Sequence, residues 1–299
     1  MIKVEELYKS YQKTSALTSI SFDVQEGEIF GVIGPDGAGK STLIRILTTL
    51  LLPDKGYAEV MGKEVIKNFR ELRKNIGYMP GRFSLYEDLT VEENLHLFAS
   101  IFGTTLQANY HLIKDIYVQI EPFKNRRAGD LSGGMKQKLA LSCSLIHAPR
   151  VIFLDEPTTG VDPVSRKEFW GMLRKLKSEG ITILVSTPYM DEAAMCDTVF
   201  LVNKGTVLDI DTPQRVIEKF QGNLYAIKGD DQYRLLSVLR QNKSIQSVFL
   251  SGEYIHFTMK DKIPLNNLRE KIDHAGLNEV KLGEITPTME DCFLALMKS

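Results

Sequence analysis

A glycine-rich segment near the start of the chain has the spacing of a phosphate-binding loop. It fits the pattern G-x-x-x-x-G-K-[ST] between an apolar run and a helical pattern, and its residues are Gly34, Pro35, Asp36, Gly37, Ala38, Gly39, Lys40 and Ser41. Glycines allow backbone N–H groups to turn toward phosphate oxygens at the positive end of the following helix. We expect Lys40 to reach the β- and γ-phosphates of a nucleotide, Ser41 to hold Mg²⁺, and Thr42 to be an auxiliary phosphate donor.

Two adjacent acidic residues end an apolar run in the middle of the chain. Val151–Leu154 has the composition of a buried strand, and Asp155 and Glu156 follow it directly. Carboxylate oxygens suit Mg²⁺, so Asp155 is a predicted magnesium ligand, either directly or through water. Glu156 is placed to orient or deprotonate an attacking water molecule. A solvated strand end would explain the two acids but not the apolar run before them.

A second glycine pair precedes another helical pattern, in the segment Leu131–Gln137. Ser132 is a predicted N-cap, and Gly133 and Gly134 expose backbone N–H donors at the helix start. Alone, this segment indicates only the beginning of a helix. Together with the loop at residues 34–41, it indicates a second phosphate-binding element. The residues proposed for this role are Leu131, Ser132, Gly133, Gly134 and Gln137.

These segments need a parallel sheet to bring their strand ends together. The first two-thirds of the chain alternate short apolar runs with helical patterns, which is typical of an α/β fold with a mainly parallel sheet. A helix is predicted at Lys40–Leu51, and helical signals dominate over about 82–150, which predicts a helical subdomain. We predict a domain boundary at 222/223. The segment 223–299 then has the pattern of a ferredoxin-like βαββαβ unit with an extra helix.

The composition excludes several classes of protein. The chain has 299 residues, with 37 Lys and Arg against 38 Asp and Glu, so it lacks the basic surface that non-specific nucleic-acid binding requires. Hydrophobic residues make up 43% and charged residues 25%, as in ordinary globular proteins. Cys143, Cys196 and Cys292 lack paired spacing, which predicts buried thiols in a reducing cytosol rather than disulfides or a metal site.

Together the motifs resemble the nucleotide-binding subunit of ABC transporters, from about Ile2 to Phe220. In that resemblance Gly34–Ser41 is Walker A, Leu131–Gln137 is the signature, and Val151–Asp155 is Walker B. The D-loop contains Asp162. The resemblance also places Tyr11 where the family stacks an aromatic ring on adenine, and a simple surface tyrosine is the alternative.

The resemblance implies a fold, ligands and partners. The fold is a P-loop NTPase with a parallel core sheet, an antiparallel β subdomain and a helical subdomain, and the ligands are ATP and Mg²⁺. Two nucleotide-binding domains would pair head to tail, each ATP lying between one Walker A and the other signature. The pair would drive a membrane-spanning permease from the cytoplasmic face of the membrane. The tail at Ile285–Phe293 resembles exporter ATPases of the daunorubicin-resistance kind.

Two positions depart from the family pattern. The family has a glutamine that contacts Mg²⁺ and water where this chain has Gly81, and a histidine that touches the γ-phosphate where it has Pro188. Neither residue has a side-chain donor, so we expect a weakened Walker site. This favours an asymmetric pair with an intact ATPase half, either a separate protein or a fused continuation. The alternative is tolerated drift, with Glu156 sufficient for hydrolysis.

Other functions remain as alternatives. A binding-only regulatory subunit is the chief one, although the retained Glu156 speaks against it. A GTPase is disfavoured because no Asn-Lys-x-Asp sequence occurs in the chain. The C-terminal domain has no catalytic constellation, and we expect either a regulatory or dimer-stabilising role or simple packing against the main domain.

Overall fold

The computed structural model describes residues 1–260, 265–274, 276–277 and 280–297. The chain divides into two compact units, Met1–Pro213 and Gln214–Ser299. The boundary predicted at 222/223 lies further along the chain and stays a prediction. Residues 261–264, 275, 278–279 and 298–299 of the predicted C-terminal domain lie outside the described residues.

The first unit contains two sheets and most of the helices. Its strands are β1 Ile2–Tyr11, β2 Thr14–Val24, β3 Ile29–Ile33, β4 Lys55–Val60, β5 Lys63–Glu64, β6 Ile76–Met79, β7 Val151–Asp155, β8 Thr182–Thr187, β9 Thr198–Asn203 and β10 Thr206–Asp211. Its helices are α1 Lys40–Leu47, α2 Phe69–Asn75, α3 Val91–Ile101, α4 Tyr110–Tyr117, α5 Gly133–Leu145, α6 Pro163–Ser178 and α7 Met190–Ala193. A further helix, α8 Pro213–Glu218, crosses the division between the units.

The central sheet has the order β10-β9-β3-β8-β7-β6. Neighbouring strands from β9 to β6 run parallel, and only β10 is antiparallel to its neighbour. Every residue of β3, β7 and β8 is buried, as expected for strands with both faces covered. The parallel arrangement brings the carboxyl ends of β3, β6, β7 and β8 to one edge, where the predicted site residues follow the strands.

The second sheet, β2-β1-β4-β5, is antiparallel and shares a core with the central sheet. The ring of Phe22 on β2 lies 5.1 Å from the rings of both Phe30 and Phe200 on the central sheet. Strands β1 and β4 are absent from the sequence predictions. The sequence of β1 mixes acids and lysines with apolar residues, and its register shifts near Glu6, so the alternation is incomplete.

Helices α3, α4 and α5 lie between β6 and β7, where the sequence predicts helical signals. Thr90 and Glu93 form a reciprocal capping box at the start of α3. The predicted helix Lys40–Leu51 is too long, since α1 ends at Leu47. Thr49 there takes a positive φ of 64°, and the N–H groups of the next two residues turn back to the Arg45 carbonyl. Within the described residues, no helix has the length and apolarity to cross a membrane.

The second unit is a four-stranded antiparallel sheet with helices. After α8, its elements are β11 Leu224–Lys228, α9 Gln232–Gln241, β12 Ile245–Ser251, β13 Tyr254–Met259, α10 Leu265–His274, β14 Lys281–Ile285 and α11 Met289–Leu296. The strand order is β12-β13-β11-β14. Its own core joins Ile227 and Phe257 of the sheet to Leu239 and Leu268 of α9 and α10.

Candidate nucleotide-binding site

The glycine-rich loop runs from the end of β3 to the start of α1. Two of its glycines lie so close to neighbouring backbone that a side chain would not fit. A side chain at Gly34 would begin 2.2 Å from the carbonyl oxygen of Val202. Gly39 has a φ of 104°, and a side chain there would begin 2.4 Å from the carbonyl oxygen of Ala16. The N–H groups of Lys40–Thr42 form the first turn of α1 and have no acceptor within the helix, so they are available to an anion.

Lys40 is buried among oxygen atoms. Its Nζ donates to the carbonyl oxygens of Gly34 (2.7 Å) and Pro35 (3.0 Å), and it lies 3.0 Å from Oε1 of Glu156. Glu156 itself has a φ of 50°, and its N–H donates to both the carbonyl and the hydroxyl of Ser186. The structure thus brings the predicted phosphate-binding lysine into contact with the predicted catalytic carboxylate.

Asp155 lies beside the start of α1. Its Oδ1 accepts hydrogen bonds from the hydroxyls of Ser41 (2.9 Å) and Ser186 (2.8 Å). Mg²⁺ takes hard oxygen ligands, and a hydroxyl and a carboxylate from separate segments meet at this point. Ser41 and Asp155 therefore fit a magnesium ion.

The two departure positions lie at the same edge of the sheet. Gly81 follows β6, and a side chain there would begin 2.9 Å from the carbonyl oxygen of Asp155. Pro188 follows β8 directly, and the carbonyl of the preceding Thr187 accepts a hydrogen bond from the N–H of Gly34. Both positions are therefore adjacent to residues of the predicted site.

The signature segment contacts the N-terminal end of α6. Ser132 caps α5 by accepting from the N–H of Met135, and a side chain at Gly134 would begin 2.9 Å from Oγ of Ser165. Asp162 caps α6, and hydrogen bonds from the Ser165 side chain and from backbone N–H groups lower the pKa of its carboxyl. The predicted signature and D-loop residues are therefore neighbours within the chain.

Tyr11 lies at the end of the β1–β2 hairpin. The residue is 45% exposed, and Nζ of Lys9 lies 6.0 Å from the ring centroid. The same hairpin contributes Ala16, which packs against Gly39 of the phosphate-binding loop. Its role as an adenine platform stays a prediction.

Ser186 and Glu192 are the side chains at this edge whose roles the sequence did not predict. Ser186 joins Asp155 to the backbone of Glu156, and Glu192 is a buried carboxylate on α7. The sequence did contain a signal for Ser186, because Ser186 and Thr187 directly follow the apolar run that forms most of β8. The sequence around Glu192 gives no sign that its carboxylate is buried.

Comparison with known proteins points to one family. The ABC transporter family model matches residues 17–159. The probable multidrug ABC transporter ATP-binding protein YbhF of Escherichia coli K12 is 39% identical over 287 residues, 94% of this chain and 49% of that protein. The Nod factor export ATP-binding protein I of Rhizobium sp. strain N33 is 35% identical over 292 residues, 96% of this chain and 94% of that protein. The chain thus spans about half the length of the first relative.

The solved structures that match this chain are also ATP-binding proteins of ABC transporters. The protein cbiO1 of Clostridium perfringens, part of the ABC transporter complex cbiONQ, matches with a TM-score of 0.66 and 29% identity over 73% of this chain and 90% of that chain. The dimeric ATP-binding cassette MJ0796, bound to ADP and Pi, matches with a TM-score of 0.64 and 25% identity over 71% of this chain and 98% of that chain. The family prediction is confirmed, and the chain belongs to the ABC transporter family of ATP-binding proteins.

Proposed function

We propose that this chain binds and hydrolyses Mg-ATP to power export through a membrane-spanning partner. The observation that carries the proposal is the contact network at the edge of the central sheet. It joins Lys40 to Glu156 at 3.0 Å and Ser41 to Asp155 at 2.9 Å. A phosphate-binding cation, a magnesium-binding pair and a candidate base thus share one small site.

Each residue of the network has a distinct proposed role. Lys40 exchanges its carbonyl and carboxylate partners for the β- and γ-phosphates, which the loop amides also bind. Ser41 and Asp155 would hold Mg²⁺, which supplies charge neutralisation on the phosphates when bound. Glu156 orients the attacking water and accepts its proton.

The second half of the proposed site comes from another cassette. The signature residues Ser132–Gly134 would close on ATP bound to the Walker A loop of the partner, with Asp162 of the D-loop at the same interface. The dimeric form of the similar cassette MJ0796 supports this arrangement. The export function rests on the names of the two relatives, one a probable multidrug transporter protein and the other a Nod factor export protein. The chain would then act at the cytoplasmic face of the membrane.

We also propose that the Walker site of this chain is weakened and works beside an intact half. Gly81 places no side chain next to Asp155, and Pro188 places no donor after β8. Loss of a single transition-state donor typically costs a factor of roughly 10²–10³ in rate. Support for a second half comes from the E. coli relative, of which this chain spans only 49%.

The test is steady-state Mg-ATP turnover together with ATP binding on the same purified sample. The comparison variants are Glu156→Gln and the matched control Glu168→Gln. Glu168 lies on the exposed side of α6, and its carboxylate is paired with Lys138 of α5. Tight binding with very low turnover supports the weakened site. Turnover at ordinary ABC rates by a homodimer would overturn the asymmetric pair. Loss of turnover in Glu156→Gln alone supports Glu156 as the base.

The second candidate is a binding-only regulatory subunit, and it rests on the same two positions. If Gly81 and Pro188 abolish hydrolysis, the chain binds ATP and closes the site of its partner through its signature. In that case Glu156→Gln leaves the turnover of a mixed pair unchanged. A role for the C-terminal unit in regulation or dimer stability is part of either proposal.

A further inference from the structure

One carboxylate near the site is almost completely buried, and both of its oxygens accept hydrogen bonds. Glu192 on α7 is 1% exposed. It accepts hydrogen bonds from Oγ1 of Thr158 (2.7 Å), Nε of Arg166 (3.0 Å) and Oγ1 of Thr187 (2.5 Å). Burying a charge is costly unless donors satisfy it. The three donors lie on the loop after β7, on α6 and at the end of β8, so one side chain joins four segments.

Two of these donors are closely connected to the proposed active site. Thr158 comes two residues after Glu156, and the hydroxyl of the next residue, Thr159, donates to Oε2 of Glu156. Thr187 is the last residue of β8, and its carbonyl accepts from the N–H of Gly34 at the start of the phosphate-binding loop. Glu192 therefore links the segment that carries Glu156 to the strand end that contacts the loop.

The third donor connects the same carboxylate to the D-loop. Arg166 lies one turn into α6, the helix that Asp162 caps. Its guanidinium also donates to both carboxylate oxygens of Asp191 and lies 4.1 Å from the ring centroid of Tyr189. The segment that follows Pro188 is thereby joined to the start of α6.

We propose that Glu192 is a positioning residue. Its buried carboxylate fixes the turn Glu156–Asp162 relative to the end of β8. This turn carries both the proposed base, Glu156, and the D-loop residue Asp162. This proposal rests on the function proposed above. The physical reason is that a base acts only within a narrow range of positions, and a displacement of about 1 Å can cost roughly 100-fold in rate. Glu156 contacts Lys40, Ser186 and Thr159, and Glu192 is hydrogen-bonded to Thr158, the residue before Thr159.

Substitutions at Thr158 separate a hydrogen-bonding role from simple packing. Thr158→Val keeps the shape of the side chain and removes the hydroxyl, whereas Thr158→Ser keeps the hydroxyl and removes a methyl group. If Glu192 positions the turn, Thr158→Val and Glu192→Gln are impaired and Thr158→Ser behaves as wild type. The matched control is Thr182→Val, which removes a buried hydroxyl at the opposite end of β8, where it accepts from the N–H of Gly27.

The first measurement is amide hydrogen exchange in the full chain. The N–H of Thr159 donates to the Glu156 carbonyl and that of Val161 to the Thr158 carbonyl, so these two amides report on the turn. We expect Glu192→Gln and Thr158→Val to speed their exchange by about tenfold or more, because the turn opens more often. Exchange in residues 37–41 should stay at the wild-type rate, and so should exchange at Thr159 and Val161 in the control variant.

The second measurement is the turnover of ATP, by the chain alone or by its mixed pair. We expect kcat to fall by roughly 10- to 100-fold in Glu192→Gln and Thr158→Val. ATP affinity should change much less, because bound phosphates replace the Glu156 contact of Lys40 and because Ser41 bonds to Asp155, which has no hydrogen bond to Glu192. Unchanged exchange at Thr159 and Val161 in both variants would overturn the proposal, as would equal losses in Thr158→Ser and Thr158→Val. A wild-type chain that fails to bind ATP would overturn the proposed function instead, while the exchange data would still decide whether Glu192 holds the turn.

Discussion

Lys40 is the most densely contacted cation of the proposed site. Its ammonium group is shared among the carbonyl oxygens of Gly34 and Pro35 and the carboxylate of Glu156, and the side chain is only 3% exposed. We expect Lys40 to contribute to the stability of the loop as well as to the proposed phosphate binding. The two contributions are separable by experiment.

We expect Lys40→Met to weaken ATP binding by at least tenfold and to lower the free energy of unfolding by about 1–3 kcal/mol. The methionine keeps the length of the side chain but leaves two carbonyls and a carboxylate without their donor. Urea unfolding and ATP titration on the same sample measure the two effects. The control is Lys177→Met, whose lysine is paired with Asp197. Unchanged stability in Lys40→Met would contradict this account.

Restoring the missing donors is the reciprocal experiment. We expect Pro188→His to raise turnover by about tenfold or more, toward the factor of roughly 10²–10³ that one donor contributes elsewhere. Gly81→Gln should gain less, because its Cβ would begin 2.9 Å from the Asp155 carbonyl and the turn must shift. Turnover at saturating ATP is the measurement, and Pro188→Ala is the control. An equal gain in Pro188→Ala would show that loop flexibility, not a donor, was limiting.

At the scale of elements, the buried parallel strands were predictable, whereas β1 and β4 of the antiparallel sheet were not. β3, β7 and β8 are continuous apolar runs, so their carboxyl ends, and the residues that follow them, could be placed together from the amino-acid pattern alone. β1 carries charges on its exposed face and changes register near Glu6, which hides its alternation. The role of Glu192 was also hidden, because its burial depends on side chains 5 to 34 residues away.

His147 joins two elements and provides a prediction about pH. Its ring stacks on Phe102 after α3, with the ring centroids 3.8 Å apart, and its Nε2 is hydrogen-bonded to the carbonyl of Ile76 on β6. Burial lowers the pKa of His147 from its ordinary value of 6.5. The unfolded chain therefore binds a proton below pH 6.5 that the folded chain does not, and stability falls as the pH falls through this range.

We expect His147→Gln to remove part of this acid sensitivity. One group contributes at most about 1.4 kcal/mol of unfolding free energy per pH unit. The measurement is urea unfolding at several pH values from 6.5 downward. The control is His96→Gln, which changes an exposed histidine. The same slope in wild type and His147→Gln would show that this histidine is not responsible.

At the scale of the whole molecule, the residues proposed to bind nucleotide all belong to the first unit, Met1–Pro213, whereas the second unit has its own core. That unit also has its own buried, hydrogen-bonded carboxylate. Asp291 on α11 is 1% exposed, and it accepts from Nδ1 of His256 and from the N–H and hydroxyl of Thr288. Asp291 thus joins α11 to His256 on β13, next to the buried apolar side chains of the same helix.

Replacing Asp291 with asparagine should therefore destabilise the second unit alone. The amide keeps the size of the carboxyl group but substitutes a donor for one acceptor oxygen, so we expect the free energy of unfolding of this unit to fall by about 1–3 kcal/mol. ATP affinity should be unchanged, because no proposed nucleotide ligand lies beyond Pro213. Glu290→Gln, an exposed change on the same helix, is the control. If ATP affinity falls in Asp291→Asn but not in the control, the second unit takes part in nucleotide binding, and its proposed regulatory role gains a direct physical basis.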